Sequence, residues 1–244
     1  MEKPNRFKAL FQSGIIVSCQ AHKGEPLYRP EGGIMALMAL AAQQAGAIGI
    51  RANDIMDCSQ IAETVKIPVL GIFKAHYPDS SVYITPTMTE VDGLLSIKGI
   101  HAIAVEMTDN VRPFGQTNVD FLAQIRAKYP DVAIMADIST LKEGITAWKL
   151  GVDCVATTLY GNKAYDADKP KPNIELVKQL ADAVDIPVVC EGGVYLEQHV
   201  IDIFKAGAYC CVIGGAITRP KEITTRYIKA YQTLKINQTK GSSL

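Results

Sequence analysis

The sequence predicts a single (β/α)8 barrel over residues 1–234, followed by a polar carboxy-terminal tail at 235–244. Three observations carry that prediction. Eight short runs rich in valine and isoleucine alternate with amphipathic segments from end to end, and the runs lack the polar alternation of a sheet with one wet face. A weak repeat marks the helix exits: AGAIGIR at 45–51, KGIHAIAVE at 98–106, LGVDCVATT at 150–158 and AGAYCCVIGG at 206–215 each set a glycine just before an apolar run. These glycines recur about every fifty-odd residues, the length of two βα units. Finally, 244 residues at 48% hydrophobic content suit one sizeable core, and barrels of this length form single domains. A doubly wound open sheet is the rival, but it seldom needs so many regular units.

In chain order the predicted strands are 14–19, 47–51, 68–73, 101–105, 132–136, 154–157, 187–190 and 210–214. Between them, Ile34, Leu37, Met38 and Ala41 share a helical face, as do Ile174, Val177, Leu180, Ala181 and Val184. Leu196, Val200, Ile203 and Phe204 form a third such stripe. KIPVLGIF and DIPVVCEGG open the third and seventh strands with proline, which fits a strand entry. A last helix is expected over 223–234, and KINQTKGSSL after it is polar and small enough to fray.

Lysine plus arginine total 25, and so do aspartate plus glutamate, so no net field favours nucleic acid or an anionic membrane. The basic residues near the amino terminus precede an apolar run at 15–17 that is too short for a signal-peptide core, and no stretch approaches a membrane span. A cytoplasmic location is expected. The cysteines Cys19, Cys58, Cys154, Cys190, Cys210 and Cys211 form no CxxC and lie mostly in apolar runs, where reduced thiols behave as small core residues. The histidines His22, His76, His101 and His199 are isolated, with no HxH or HExxH, so no metal site is expected.

The connections choose a face for function. Helix-to-strand turns are tight, whereas the strand-to-helix loops 21–33, 75–86 and 159–172 are long. Long loops thus open at the carboxyl ends of the strands, where barrel sites form. Those ends carry Gln20, Arg51, Lys74, Glu106, Asp137, Thr158 and Glu191, then Gly214 and Gly215. A single polar strand end can be plain solvated rim, but this many converging on one mouth suggests a site.

At the last two strands, EGG at 191–193 and GGAITRP at 214–220 bring two glycine turns side by side. Amides exposed at Gly192, Gly193, Gly214 and Gly215, a helix amino terminus and the cation of Arg219 make a phosphate cup. The plainer alternative is ordinary turns with Thr218 as an N-cap. Lys74 ends the apolar strand GIFKAHY. It is either a lysine reaching for solvent or a general base or Schiff-base nucleophile, and the last two need a neutral amine. Burial at the mouth and the charge of Arg51 act in that direction. Glu191 and Asp137 are either salt-bridge partners of Arg51 and Lys74, or a proton donor and a hydroxyl acceptor.

Taken together, SCQAHKGEPL at 18–27, IRAN at 50–53, GIFKAHYPDSSVYITPTMTEV at 71–91, ADIST at 136–140, LGVDCVATTLYG at 150–161, CEGG at 190–193 and VIGGAITRPKEIT at 212–224 resemble the N-acetylmannosamine-6-phosphate 2-epimerases. The resemblance runs from about Gly14 to about Ala230 and touches every strand end. It implies a phosphosugar barrel that interconverts N-acetylmannosamine 6-phosphate and N-acetylglucosamine 6-phosphate in bacterial sialic-acid breakdown. It further implies Lys74 as the central catalytic group with Glu191 as its acidic partner, substrate contacts at Gln20, Arg51 and Asp137, and phosphate contact at Arg219. Two positions depart from the family pattern: Glu106 stands where aspartate is expected, and Asn162 where tyrosine is common.

A carbon-2 epimerisation through an enolate needs no redox cofactor, and none is implied. The expected partner is the small phosphosugar, with neither nucleic acid nor membrane. A homo-oligomer is compatible with the chain, but oligomeric state is not readable from it. Two other functions remain open on the residues alone: a Schiff-base aldolase or lyase acting on a phosphosugar, and a non-catalytic phosphosugar-binding protein. Neither the one-base or two-base course of the proton nor the group that opens the sugar ring is fixed by sequence.

Overall fold

The computed structural model describes residues 4–161 and 172–241, the last seven by backbone alone. Eight parallel strands close into one barrel in chain order, β1 (Gly14–Cys19), β2 (Gly49–Asn53), β3 (Val69–Ile72), β4 (Ile100–Glu106), β5 (Ala133–Asp137), β6 (Cys154–Ala156), β7 (Val188–Glu191) and β8 (Cys210–Ile213). Gly14 of β1 pairs with Cys210 of β8 to complete the ring, so no sheet edge is left open. The rival open sheet is excluded.

Around the barrel run α2 (Ile34–Gln44), α3 (Ile55–Thr64), α4 (Met88–Leu95), α5 (Asn118–Lys128), α6 (Leu141–Lys149), α7 (Ile174–Ala183), α8 (Glu197–Lys205) and α9 (Pro220–Gly241), after an initial α1 (Arg6–Leu10). Their ends follow from local chemistry. TMTE at 87–90 and TLKE at 140–143 form capping boxes at the starts of α4 and α6. The repeat glycines Gly46, Gly99, Gly151 and Gly207 all take positive φ, between 87° and 98°. That left-handed turn after a helix is nearly free only for glycine.

Two apolar layers result from the period of two along each strand. Outward residues such as Val17, Ile50, Ile103, Ile134 and Val155 pack on the helices. Inward ones, including Ile16, Leu70, Ile72, Ala104, Met135, Ala156, Val189 and Val212, fill the barrel. The same alternation sends the next inward position of each strand to the carboxyl-end mouth. Lys74 is two residues beyond Ile72, Glu106 beyond Ala104, Asp137 beyond Met135, Thr158 beyond Ala156, Glu191 beyond Val189 and Gly214 beyond Val212. These strand-end positions form one inward row at stepped heights, with Asp137 level with Ala156 and Glu191 with Val212, whereas Arg51 lies inside β2, two residues before its end.

Two features differ from the sequence expectation. The segment before β1 forms α1, whose Phe7 and Phe11 stack at 4.6 Å and join the inner cluster. Five residues carry too little periodicity to announce a helix, yet α1 packs its aromatics against the end of the barrel opposite the site. At the other terminus α9 continues through Gly241 instead of fraying after Leu234. Nothing between Lys235 and Lys240 is a helix breaker. The position of Asn162 and most of the loop 159–172 lie outside the described residues. All six cysteines are buried and free, and burial pushes the thiols of Cys19 and Cys190 up to about 12, as expected of inert core groups.

Candidate active site

At the mouth, Ser18, Gln20, Lys74, Thr158, Glu191 and the glycine turns surround a cavity of about 160 Å³ that is closed on one side by Arg219. The sequence-predicted residues fall into three groups around it: a charged floor, a wall holding the amine, and a glycine cup.

The floor is made by Arg51. Its guanidinium donates to both oxygens of Asp137 at 3.0 and 2.6 Å and lies 2.9 Å from Glu191 Oε2. Arg51 and Asp137 are 1% and 0% exposed, so they sit just beneath the cavity and do not line it. Thr158 Oγ1 donates to Asp137 Oδ1 at 2.6 Å and lies 3.3 Å from Glu191 Oε2. Burial opposes the charge on Arg51, but Asp137 and Glu191 outweigh it and hold the guanidinium firmly cationic. Glu191 is different. Burial pushes its carboxyl well above the usual carboxylate range, against the pull of Arg51. One cation thus faces two carboxylates, and Glu191, the more accessible of them, can carry a proton.

The wall holds Lys74. Its backbone N–H donates to Asn53 Oδ1 at 3.0 Å, and a bridge to Ile84 ties the strand end to its own loop. Burial first, then the charge of Arg51, brings the Lys74 amine down to about 8, a range in which an amine works as a base. Its Nζ lies 3.2 Å from His22 Nε2, a contact that the sequence reading missed. Gln20 donates through Nε2 to Ser18 Oγ at 2.8 Å, while its Oε1 is buried without a partner among the described residues. An orphan acceptor on a cavity wall is a ready place for a ligand donor.

Glu106 belongs to the same inward row but does not face the cavity. Its carboxylate accepts from the Tyr83 backbone N–H at 3.0 Å, from Thr108 Oγ1 at 2.8 Å and from Asn110 Nδ2 at 3.1 Å. It is therefore a tie between two loops.

The cup is mostly backbone. Gly192 and Gly193 take φ of 101° and 74°, the successive left-handed turns that expose amide N–H groups. Gly214 approaches β1 so closely that a Cβ there would lie 3.2 Å from Ser18 Cβ. Thr218 does not cap α9; its hydroxyl donates to the Ser18 carbonyl at 2.7 Å and locks the loop after β8 onto β1. Arg219 bonds Glu222 Oε1 at 2.8 Å and stands 3.9 Å from Glu25. Among the described residues no group of three His, Cys, Asp or Glu side chains is placed to hold a metal ion, and no helix is long and apolar enough to cross a membrane.

Comparison with known proteins bears on this geometry. A family profile described as "Putative N-acetylmannosamine-6-phosphate epimerase" matches residues 35–233. Relatives carrying the corresponding 2-epimerase description include one from Enterobacter sp. (strain 638), 46% identical over 92% of this chain and 95% of its own length. Another, from Caldanaerobacter subterraneus subsp. tengcongensis, is 45% identical over 89% of this chain and 90% of its own. A solved structure of the N-acetylmannosamine-6-phosphate 2-epimerase from Clostridium perfringens superposes with a TM-score of 0.86 at 43% identity, covering 94% of this chain and 98% of that one.

Proposed function

The chain belongs to the N-acetylmannosamine-6-phosphate epimerase family, and on that premise we propose that it interconverts N-acetylmannosamine 6-phosphate and N-acetylglucosamine 6-phosphate in the cytoplasm, within amino-sugar and sialic-acid breakdown. The observation that carries this reading is the Lys74 amine, brought down to about 8 on the wall of a cavity whose floor holds a protonatable Glu191.

In the open-chain sugar, carbon 2 lies beside the aldehyde, so loss of its proton gives an enolate. Neutral Lys74 takes that proton and becomes an ammonium. Glu191, which burial allows to carry a proton near neutral pH, returns a proton to the other face, and the opposite epimer results. No electrons are gained or lost overall. Arg51 acts from below: its charge favours the neutral amine and its hydrogen bonds fix Glu191 and Asp137. Gln20 Oε1 offers an acceptor to a sugar hydroxyl or to the N-acetyl N–H. Gly192, Gly193, Gly214, Gly215 and Arg219 receive the phosphate, which anchors the chain of the sugar above the amine.

In deuterium oxide the product should carry solvent deuterium at carbon 2, and kcat should follow a bell with its maximum between about 7 and 8, because Lys74 must be neutral while Glu191 is protonated. Lys74→Ala should lower kcat by about a hundredfold to ten-thousandfold, the usual worth of a general base, while phosphosugar still binds. An aldolase would instead release a shorter fragment and be trapped on Lys74 by borohydride. Either of those results, or a Lys74→Ala enzyme of near-normal rate, would refute the proposal.

A further inference from the structure

Three observations single out His22, a residue that no comparison assigns. First, its Nε2 lies 3.2 Å from Lys74 Nζ. Second, the backbone that carries the ring is fixed by its own loop: the His22 backbone N–H donates to Glu25 Oε2 at 2.7 Å, and the Glu25 N–H donates back to the His22 carbonyl at 2.8 Å. Third, His22 and Lys74 are both half-buried whereas the floor beneath the amine is closed, so a proton leaving Lys74 must pass by His22 or through the cavity.

The other neighbours of Lys74 leave few routes for a proton. Arg51 accepts none, and Glu191 is engaged by Arg51 and Thr158. Once a phosphosugar fills a cavity of about 160 Å³, little space remains for bulk water at the amine.

We propose that His22 is the proton relay of Lys74, carrying to solvent the proton that the amine removes from carbon 2. The inference rests on the reading of Lys74 as the base. The carbon–hydrogen bond breaks, its electron pair enters the enolate, and an N–H bond forms at Lys74. The ammonium N–H then breaks as Nε2–H forms on the Nδ1–H tautomer of His22, and Nδ1 releases its own proton to water. Atoms and charge balance without a further reactant.

The charges around the imidazole suit the task. Burial first, then Lys74 from the end of β3 and Arg219 from the loop after β8, oppose its protonation, whereas Glu25 on its own loop and Glu222 on α9 favour it. The balance lowers the imidazole below its ordinary value, so at neutral pH it stands ready to accept and does not retain the proton it passes on.

The test follows hydrogen at carbon 2 in both sugars. Unlabelled N-acetylmannosamine 6-phosphate is turned over in deuterium oxide, and deuterium uptake into recovered substrate is measured against product formed. The wild type should return solvent deuterium to recovered substrate. His22→Leu and His22→Gln should lower that uptake by about a third per turnover, because two of the three ammonium hydrogens already come from solvent and only the one taken from carbon 2 then fails to exchange while epimerisation continues. Glutamine can still hydrogen-bond the amine but cannot relay a proton through a ring. Wild-type uptake in His22→Gln would overturn the relay and leave His22 only positioning the amine. Wild-type uptake in both variants would remove any role. A wild type with no solvent deuterium in either sugar would overturn the Lys74 base instead, and the relay with it.

Discussion

The barrel mouth has two unlike halves. Across strands two, five and seven, Arg51, Asp137 and Glu191 bind one another through side chains that are 1%, 0% and 14% exposed. Across strands seven and eight, the glycine cup is built from backbone and its cation, Arg219, is 28% exposed and leans on Glu222 and Glu25. The first half is a set of buried charges that must be balanced for the chain to fold. The second is a solvent-facing arrangement that can adjust to a ligand. Chemistry requiring fixed pKa values belongs to the first half, and affinity for a mobile anion belongs to the second.

The contrast breaks most plainly at Arg51. Arg51→Met keeps much of the side-chain volume but leaves Asp137 and Glu191 buried without their cation. Removing one partner of a buried pair costs about 3–5 kcal/mol, so denaturant melts should show a loss in that range. Arg219→Met, at the exposed half, should change stability by less than about 1 kcal/mol. Equal losses at the two positions would mean that the halves do not differ in this way.

Much of this division is written in local sequence. The parity of each strand gives the inward layer, so Lys74, Asp137, Thr158 and Glu191 are readable from the apolar residue two positions before each. EGG and the GG before AITRP announce the cup because only glycine turns this way at low cost. What sequence does not carry is depth and return. Nothing local shows that Arg51 is drawn below the cavity by its bidentate pair with Asp137. The contact of His22 with Lys74 spans 52 positions and depends on the turn that Glu25 closes. That His22 lies two residues beyond Gln20, on the same mouth, was the available signal. Nor does local sequence show that the carboxylate of Glu106, standing where aspartate is expected, ties Tyr83 to the loop after β4.

The second half sharpens at Arg219. Arg219→Ala removes one charge-assisted contact, worth about 1.5–3 kcal/mol, or roughly tenfold to a hundredfold. Because the phosphate lies away from carbon 2 and is held alike in ground and transition states, the loss should fall mainly on KM. Unphosphorylated N-acetylmannosamine should then be a poor substrate for wild type and variant alike. A variant with normal KM and depressed kcat would move Arg219 into the chemistry and erase the boundary between the halves.

The smallest expected effect is at Glu222. Its Oε1 is 2.8 Å from Arg219 Nη1, and its Oε2 occupies the space beside Gly215, 2.5 Å from where a Cβ would stand. A carboxylate therefore lies against the cup into which a phosphate dianion must settle, and like charges there oppose each other. The phosphate has to displace this carboxylate from the guanidinium or share the cation with it. An exposed pair of this kind is worth less than about 1 kcal/mol, so relief of the competition is bounded at roughly fivefold. Glu222→Gln should accordingly lower KM for the phosphosugar by about two- to fivefold, leave kcat unchanged, and show the gain shrinking as salt is raised, since exposed charges are screened. If instead Glu222→Gln raised KM, the carboxylate would be holding Arg219 in its working position, and the cup would be as rigidly ordered as the floor.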